Sequence, residues 1–243
     1  MSLLNKARRA VQRIGIDVNR YDRFTNPALR NAWLIKEHGV DLVLDVGAND
    51  GGYGQELRAA GYFGPILSFE PLSSAHAALS IVARGYNDWF VAGRMALGDA
   101  KAEATINLAG NSRSSSLLAM LPLHQIAAPG SAYVSTETCP VNRLDEIDHP
   151  MLATARRIFL KIDTQGYEAQ VFAGASGLLD RLVGVQCEMS FAPLYEGQVL
   201  FREIFDTLTS KGFEPWNLVP GFTDHRTGRL LQIDGVFMRT LKA

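Results

Sequence analysis

Short apolar runs alternate with stretches of helical period along most of this chain. "DLVLDV" (41–46) predicts a buried strand, and "GQELRAAG" (54–61) a helix that Gly61 ends. "PILSFEP" (65–71) predicts a second strand, stopped by Pro71, and "SSAHAALSIVARG" (73–85) a helix with a serine N-cap and a glycine stop. "DWFVAGRMAL" (88–97) and "KAEATINLA" (101–109) predict strands joined by a turn at Gly98–Asp99. Two further buried strands are expected at "RRIFLKID" (156–163) and "LVGVQCEM" (182–189), with a helix between them from about Glu168. "VLFREIFDTLTSKG" (199–212) has the apolar stripe of an amphipathic helix, and "FEPWNLV" (213–219) with "LLQIDGVFMR" (230–239) predicts a closing, hairpin-like pair.

Strand, helix and strand in repeated succession imply an α/β fold, with a parallel sheet covered on both faces. The rhythm breaks between residues 110 and 155, where "GNSRSSSLLAM" and "APGSAY" are rich in small and polar residues. A loop of this length inside a compact domain is usually functional, so an insertion over the active face is expected there. At the other end, Leu3, Leu4, Ala7, Val11 and Ile14 recur at helical spacing, with Lys6, Arg8, Arg9 and Arg13 between them. This predicts a basic amphipathic helix in an extension over residues 1–25, ahead of a single domain over 26–243. The helix is expected to pack on its own domain; contact with an anionic membrane surface or a lipid-linked substrate is the alternative.

Composition narrows the partners. The 243 residues are 47% hydrophobic and 20% charged with a net charge of −1, an ordinary globular balance that gives no electrostatic case for nucleic acid. No apolar run approaches the roughly 20 residues of a membrane span, and the charged N-terminus lacks the continuous apolar centre of a signal peptide. Cys139 and Cys187 form no CxxC pair, so neither a disulfide framework nor a zinc site is expected, and a reducing cytoplasm is the compartment they point to. A homo-oligomer is compatible with all of this.

The chemistry concentrates at "LVLDVGANDGGYG" (42–54), where a strand ends in Asp45 and a turn follows with Gly47, Gly51, Gly52 and Gly54. Ligands of open parallel sheets sit beyond the carboxyl ends of the strands, and glycines there let the backbone approach them. The dinucleotide pattern G-x-G-x-x-G fits Gly47 and Gly52, but Asn49 takes the middle position where backbone meets pyrophosphate. A P-loop would need G-K-[ST], which is missing. Asp45 would oppose a diphosphate and would suit a cationic ligand, and Glu70 ends the second strand, where an acid can hold both hydroxyls of a ribose. S-adenosylmethionine, with an ammonium, a sulfonium, a ribose diol and no phosphate, meets these demands. Taken singly, Asp45 could be a helix cap and Glu70 a solvated strand end.

"DVGANDGGYG", then "SFEP", then "FLKIDTQGYEAQVFAGA" resembles the FkbM family of class I methyltransferases. The second signature, K-I-D-x-x-G-x-E, stands here as Lys161, Ile162, Asp163, Gly166 and Glu168, with Gly174 and Ala175 beyond it. "ALGD" (96–99), "NSRSSSLL" (111–118) and "VNRLDEI" (141–147) fall in the family's order, and the resemblance covers about residues 40–240. It implies a Rossmann-like, seven-stranded, mostly parallel sheet and O-methylation of a hydroxyl, often on the sugar of a glycolipid, polysaccharide or other glycosylated product. Carried over position by position, it implies that Asp45, Gly47, Asn49 and Gly51 line the methionyl part of S-adenosylmethionine. Glu70 would hold the ribose, Leu97 lie near the adenine, and Asp163 sit below the methyl. Tyr53, just past the glycine turn, would close over the cofactor. Thr164–Gln165 stands where a Val-Glu pair is common, which lowers the charge near Asp163.

Methyl transfer needs alignment, and a sugar hydroxyl profits from a general base. Asp163 is the first candidate, with holding of the cofactor amine as its equal alternative. Glu188, ending the next strand, is a second carboxylate on the same rim, and His225 in "GFTDHRTG" a third candidate that is otherwise a solvated loop histidine. The remaining histidines, at 38, 76, 124 and 149, show no ligand spacing, and Asp163 with Glu188 lacks a third partner, so no metal is expected. Arg113, Ser115 and the rest of the serine run could meet an acceptor, as could Tyr195 among the late aromatics Phe191, Trp216 and Phe222; a flexible loop and core packing are the plainer roles. The acceptor expected is a small molecule or a glycan, free or lipid-linked. A nicotinamide-dependent oxidoreductase and a non-catalytic cofactor-binding protein are the competing readings.

Overall fold

A computed structural model describes residues 8–9 and 11–240. Helix α1 (Pro27–Glu37) is started by Asn26, whose side chain accepts from the Leu29 N–H, with proline in its first turn. There follow β1 (Leu42–Val46), α2 (Gly52–Ala59), β2 (Ile66–Phe69), α3 (Ser73–Ala83) and β3 (Trp89–Val91). Next come β4 (Ala96–Leu97), β5 (Ala102–Ala109), α4 (Pro122–Ala127), β6 (Tyr133–Asn142) and α5 (Pro150–Thr154). The chain closes with β7 (Ile158–Ile162), α6 (Glu168–Ala173), β8 (Leu182–Ser190), α7 (Phe201–Ser210), β9 (Phe213–Pro220), β10 (Thr223–Asp224), β11 (Arg229–Leu230) and β12 (Gln232–Arg239).

Seven strands form one sheet in the order β3-β2-β1-β7-β8-β12-β9. Neighbours are parallel except β12, which runs antiparallel to both β8 and β9. This is the expected Rossmann-like sheet, and the late pair β9–β12 is its antiparallel edge. The chain steps outward from β1 to β3, then returns to place β7 on the other side of β1. Strand order therefore reverses between β1 and β7, which is where an open α/β sheet opens its ligand crevice.

Because side chains alternate across a strand, each strand serves two cores. Leu42, Leu44 and Val46 of β1 pack with Leu160, Ile162, Val185, Val171 and Leu208 on the α6–α7 face. Val43 packs with Leu34, Ile35, Leu57, Leu79, Phe159 and Val236 on the face covered by α1, α2 and α3. At the carboxyl end of this second face the alternating positions turn polar. Asp45 stands opposite Lys161, Lys161 opposite Gln186, and Glu188 opposite Asp234. A row of polar side chains thus crosses four strands above an apolar floor.

The stretch expected as one strand, 88–97, is two. Trp89–Val91 joins the edge of the main sheet, while Ala96–Leu97 pairs with β6 in a separate three-stranded sheet of order β4-β6-β5. The turn at Gly98–Asp99 does not make a hairpin, because β4 and β5 flank β6 on opposite sides. The 110–155 stretch is correspondingly more ordered than a loop, since it contributes α4, β6 and α5. β6 escaped notice because "YVSTETCPVN" is mostly exposed and shows little apolar alternation; only Cys139 and Val141 are buried. This small sheet packs Ile106, Cys139 and Val141 against Leu72 and Ala75.

Leu3, Leu4, Lys6 and Ala7 of the expected N-terminal helix lie outside the described residues. Of the rest, Arg8, Arg9, Val11 and Gln12 are helical, and Arg8 pairs with Asp17 at 2.9 Å. Ile14 is 73% exposed, so the expected packing of this face on the domain is not found there.

Candidate functional site

A cavity of about 680 Å³ opens at the carboxyl ends of β1, β2, β4 and β7, under the segment 111–128. That volume lies within the range of small-molecule sites. Its floor is the junction of β1 and β7. Gly47 takes φ +73°, and a Cβ there would stand 1.8 Å from the Asp163 carbonyl oxygen. Only glycine lets these two strand ends touch.

Lys161 organises the floor. Its Nζ lies 3.1 Å from Asp45 Oδ1 and 3.7 Å from Asp163 Oδ2, donates to the Gly47 carbonyl at 3.1 Å, and stands 5.3 Å from the centre of the Tyr53 ring. Burial alone would lower the lysine pKa, but the Asp45 and Asp163 carboxylates outweigh it and hold it above its ordinary value. The side chain is charged and fully engaged.

Asp45 was expected to line the cavity, and it does not. It is fully buried, accepts from the Ser68 hydroxyl at 3.3 Å, and is neutralised by the lysine beside it on the next strand. Gly51 is likewise off the wall: its left-handed backbone starts α2, and a Cβ would meet Leu79 and Trp89. Gly47, Asn49, Tyr53, Glu70, Leu97 and Asp163 all line the cavity. Glu70 is buried, and each of its carboxyl oxygens accepts a backbone N–H, from Asn49 and from Leu72, both at 2.8 Å. Burial raises its pKa to about 7, with those two hydrogen bonds opposing the shift. Beside Glu70 an apolar slot is formed by Phe69, Leu72, Met95, Ala96 and Leu97.

At the other end Glu188 lines the cavity and accepts from Gln165 Nε2 at 3.0 Å and Gln232 Nε2 at 2.7 Å. Burial first, then the carboxylates of Asp163, Glu168 and Asp234, push its pKa well above the ordinary glutamate range. Asp234, another wall residue, is raised by burial to about 6. Arg113 and Ser115 lie on the covering loop and line the cavity.

Two candidates are corrected. His225 is exposed in the turn between β10 and β11 and does not line the cavity, so it is no candidate for the base. Tyr195 is fully buried and off the wall; its hydroxyl donates to Gln165 Oε1 at 2.8 Å, so it supports a wall residue and meets no acceptor. The histidine that does line the cavity is His124, on α4, packed edge-on against Tyr195 and tilted against Phe222. Burial lowers its pKa to about 4, so it is neutral, and its Nδ1 has no partner. Its signal in the sequence was only a histidine in a short apolar helix after Pro122. Lys161 was legible as a lone charge inside "IFLKI", Gln165 stood out only as a departure from the Val-Glu pair, and Gln232 and Asp234 carried no signal apart from their places beside strand ends.

Among the described residues no cluster of three metal-ligating side chains forms, and no helix is long and apolar enough to cross a membrane.

A sequence model of the methyltransferase FkbM domain matches residues 45–215. A comparison with curated proteins finds no match. Among solved structures, TehB from Haemophilus influenzae is similar at 11% identity and TM-score 0.47, over 88% of this chain and 62% of that protein. The 1,6-didemethyltoxoflavin-N1-methyltransferase of Burkholderia thailandensis is similar at 12% identity and TM-score 0.47, over 90% of this chain and 80% of that one. Magnesium protoporphyrin IX methyltransferase from Synechocystis PCC 6803 is similar at 12% identity and TM-score 0.46, over 99% and 98%.

Proposed function

Because the chain belongs to the FkbM methyltransferase family and S-adenosylmethionine is its expected cofactor, we propose that it methylates a hydroxyl, on a sugar of a glycolipid, polysaccharide or other glycosylated product. The observation that carries this reading is the division of the cavity wall. One end offers the apolar slot with Glu70; the other offers Glu188, Asp234, Gln232 and the serine-rich loop, all able to bond hydroxyls. The wall carries six carboxyl side chains, Asp50, Glu56, Glu70, Asp163, Glu188 and Asp234, against the two cations Lys161 and Arg113; with Glu188 left out the acidic side chains still outnumber the cations, which suits a cationic cofactor.

The residues fit S-adenosylmethionine. Glu70 would take the ribose hydroxyls through the lone pairs its backbone partners leave free, Leu97 and Met95 would flank the adenine, and Asn49 would face the methionyl end, with Asp163 below the methyl. When bound, the cofactor supplies a methyl whose bond to sulfur breaks with the electron pair returning to sulfur. Asp163 takes the proton of the acceptor hydroxyl, leaving the oxygen its pair for the new bond to carbon. Tyr53, fixed by its hydrogen bond to Gln186 at 3.1 Å, closes the wall and keeps water from the reacting atoms.

The covering segment 110–155 is assigned to acceptor recognition, and residues 26–243 to one catalytic domain. A cytoplasmic protein, acting on free or lipid-linked glycans, fits the two buried free cysteines. The nicotinamide alternative has no support from the family match. Calorimetry decides the cofactor: micromolar binding of S-adenosylhomocysteine with no response to NAD is expected, and the reverse result overturns the proposal. Labelled-methyl transfer onto a panel of glycans, with and without a chelator, then tests the acceptor class.

A further inference from the structure

Asp163 directly follows β7 and Glu188 lies in the neighbouring parallel strand β8, and their carboxyl groups converge on one nitrogen. Gln165 Nε2 donates to Asp163 Oδ1 at 2.9 Å and to Glu188 Oε2 at 3.0 Å. Gln232 Nε2 donates to the same Glu188 oxygen at 2.7 Å, which leaves Oε1 engaged by neither amide. The amide of Gln165 is fixed in this pose. Its Oε1 accepts from the Tyr195 hydroxyl at 2.8 Å, and its backbone carbonyl accepts from the Ser116 hydroxyl at 2.7 Å. Its backbone lies at φ +55°, a region non-glycine residues seldom occupy and one that surrounding contacts must hold.

The charges around the pair are unequal. Glu188 faces Asp163 and Lys161 from β7, Glu168 from α6, Asp234 from β12, and the Tyr195 hydroxyl from the segment after its own strand. Lys161, the one cation among them, contacts Asp163 and the buried Asp45 but makes no ion pair with Glu188. A negative charge on Asp163 is therefore compensated. A second one on Glu188 would stand among three other carboxyl groups with two neutral amides as its only donors, which is why burial and those neighbours push its pKa well above the ordinary glutamate range.

We propose that Gln165 is a positioning residue that joins Asp163 and Glu188 into a clamp holding a single proton, built for an acceptor with two adjacent hydroxyls. Ionised Asp163 is the base. Neutral Glu188 carries the proton on Oε1 and donates it in a hydrogen bond to the oxygen beside the reacting one. In the reaction the acceptor O–H bond breaks, its proton passes to Asp163, and its electron pair stays on oxygen for the new bond to carbon; the Glu188 proton stays where it is. The substrate class is a vicinal diol, such as neighbouring hydroxyls of a pyranose ring. Gln165 itself touches no reacting atom in this scheme. The inference rests on the methyl-transfer reading, but its protonation pattern is a property of the free protein.

Carbon-13 NMR of the full chain, labelled at Asp and Glu carboxyl carbons, tests it, with Glu188→Gln and Asp163→Asn used to assign the two signals. At pH 7 the Glu188 carbon should report a protonated acid and the Asp163 carbon an ionised one. Both ionised, or the proton on Asp163, overturns the clamp. Gln165→Leu removes a donor that favours ionised Glu188, so its titration should move up by about one pH unit, a roughly tenfold change in proton affinity. If Gln165→Leu does not fold, Gln232→Leu removes the other amide from the same oxygen and must move the signal in the same direction. A lower melting temperature with an unmoved titration reduces Gln165 to a structural part and overturns its positioning role. Millimolar cis-1,2-cyclohexanediol should shift the Glu188 signal where cyclohexanol does not; equal responses, or none, refute the diol. Failure of S-adenosylhomocysteine to bind the same samples would remove the methyl-transfer reading and leave the titration result standing on its own.

Discussion

Replacing Lys161 by methionine should destabilise the fold far more than a surface lysine would. The ammonium sits 3.1 Å from Asp45, a side chain with no exposure to solvent. Methionine preserves the apolar stem and removes the charge, leaving the Asp45 carboxylate buried with only the Ser68 hydroxyl at 3.3 Å. Breaking one side of a buried pair costs about 3–5 kcal/mol, because the remaining charge is uncompensated. In a domain of this size each kcal/mol moves the melting temperature by about 2–4 °C, so a drop of roughly 6–20 °C is expected. The double variant Lys161→Met with Asp45→Leu removes both charges and should recover most of that loss, since an apolar pair in place of a buried ion pair is often neutral or better. The deficit of the single variant should also shrink as pH falls, because folding is then coupled to proton uptake by the stranded carboxylate. Urea unfolding of wild type and the two variants, at two pH values, measures each term. A single variant within 1 kcal/mol of wild type, or a double variant no better than the single, would refute the view that Lys161 and Asp45 neutralise each other as a buried pair.

Asp163→Asn should lower saturated turnover by about 10²–10⁴ with little change in S-adenosylhomocysteine affinity; lost affinity with surviving turnover would assign Asp163 to the cofactor ammonium instead. Glu70→Ala should weaken cofactor binding by about 1–3 kcal/mol. Because the Glu70 pKa is raised to about 7, wild-type affinity should fall as pH drops through that value, when the proton takes one of the lone pairs the ribose needs; calorimetry at pH 6 and pH 8.5 checks this, and Glu70→Gln should abolish the difference. Gly47→Ala should lose at least about 1–2 kcal/mol from its left-handed backbone, and more from a contact of 1.8 Å with Asp163; an unchanged melting curve would show that the floor can part. His225→Ala should leave affinity and turnover within about twofold of wild type, as expected of an exposed residue outside the cavity; a large loss of turnover would bring it back as a candidate base.

The centre of the main sheet was legible because β1 and β7 are buried on both faces, so "DLVLDV" and "RRIFLKID" stand out without any knowledge of their partners. β6 was hidden because a strand in a small sheet, packed on one side only, can be nearly all polar. The rule that strand ends face the ligand crevice pointed to Glu70, Asp163 and Glu188, and all three reach the cavity wall. The same rule misread Asp45. It tells which end of a strand a residue occupies but not which side chain stands opposite, and the register of β1 on β7 puts a lysine there. Tyr195 and His225 failed for the complementary reason. Both follow late strands, but one turns into the core and the other into solvent, and that choice depends on loop conformation that no periodicity encodes. Gln165 was noted only for the charge it lacks. Its bridging role requires a backbone angle that residue type alone does not announce.

Residues 111–121 of the cover lie against Asn107 and Ala109 of β5 and reach the loops after β7 and β8 at a few points. Ser116 bonds the Gln165 carbonyl, Leu121 N–H bonds the Leu194 carbonyl, and Glu196 N–H bonds the Ala119 carbonyl. None of these ties reaches Glu70, Gly47 or the Asp45–Lys161 pair. Floor and cover are therefore separable in inheritance. Substitutions and length changes in the cover can explore new acceptors while the floor, fixed by a glycine that admits no side chain and an ion pair that tolerates no single loss, stays as it is. A family built this way is expected to diversify by changing what it methylates, with the means of methylation held constant.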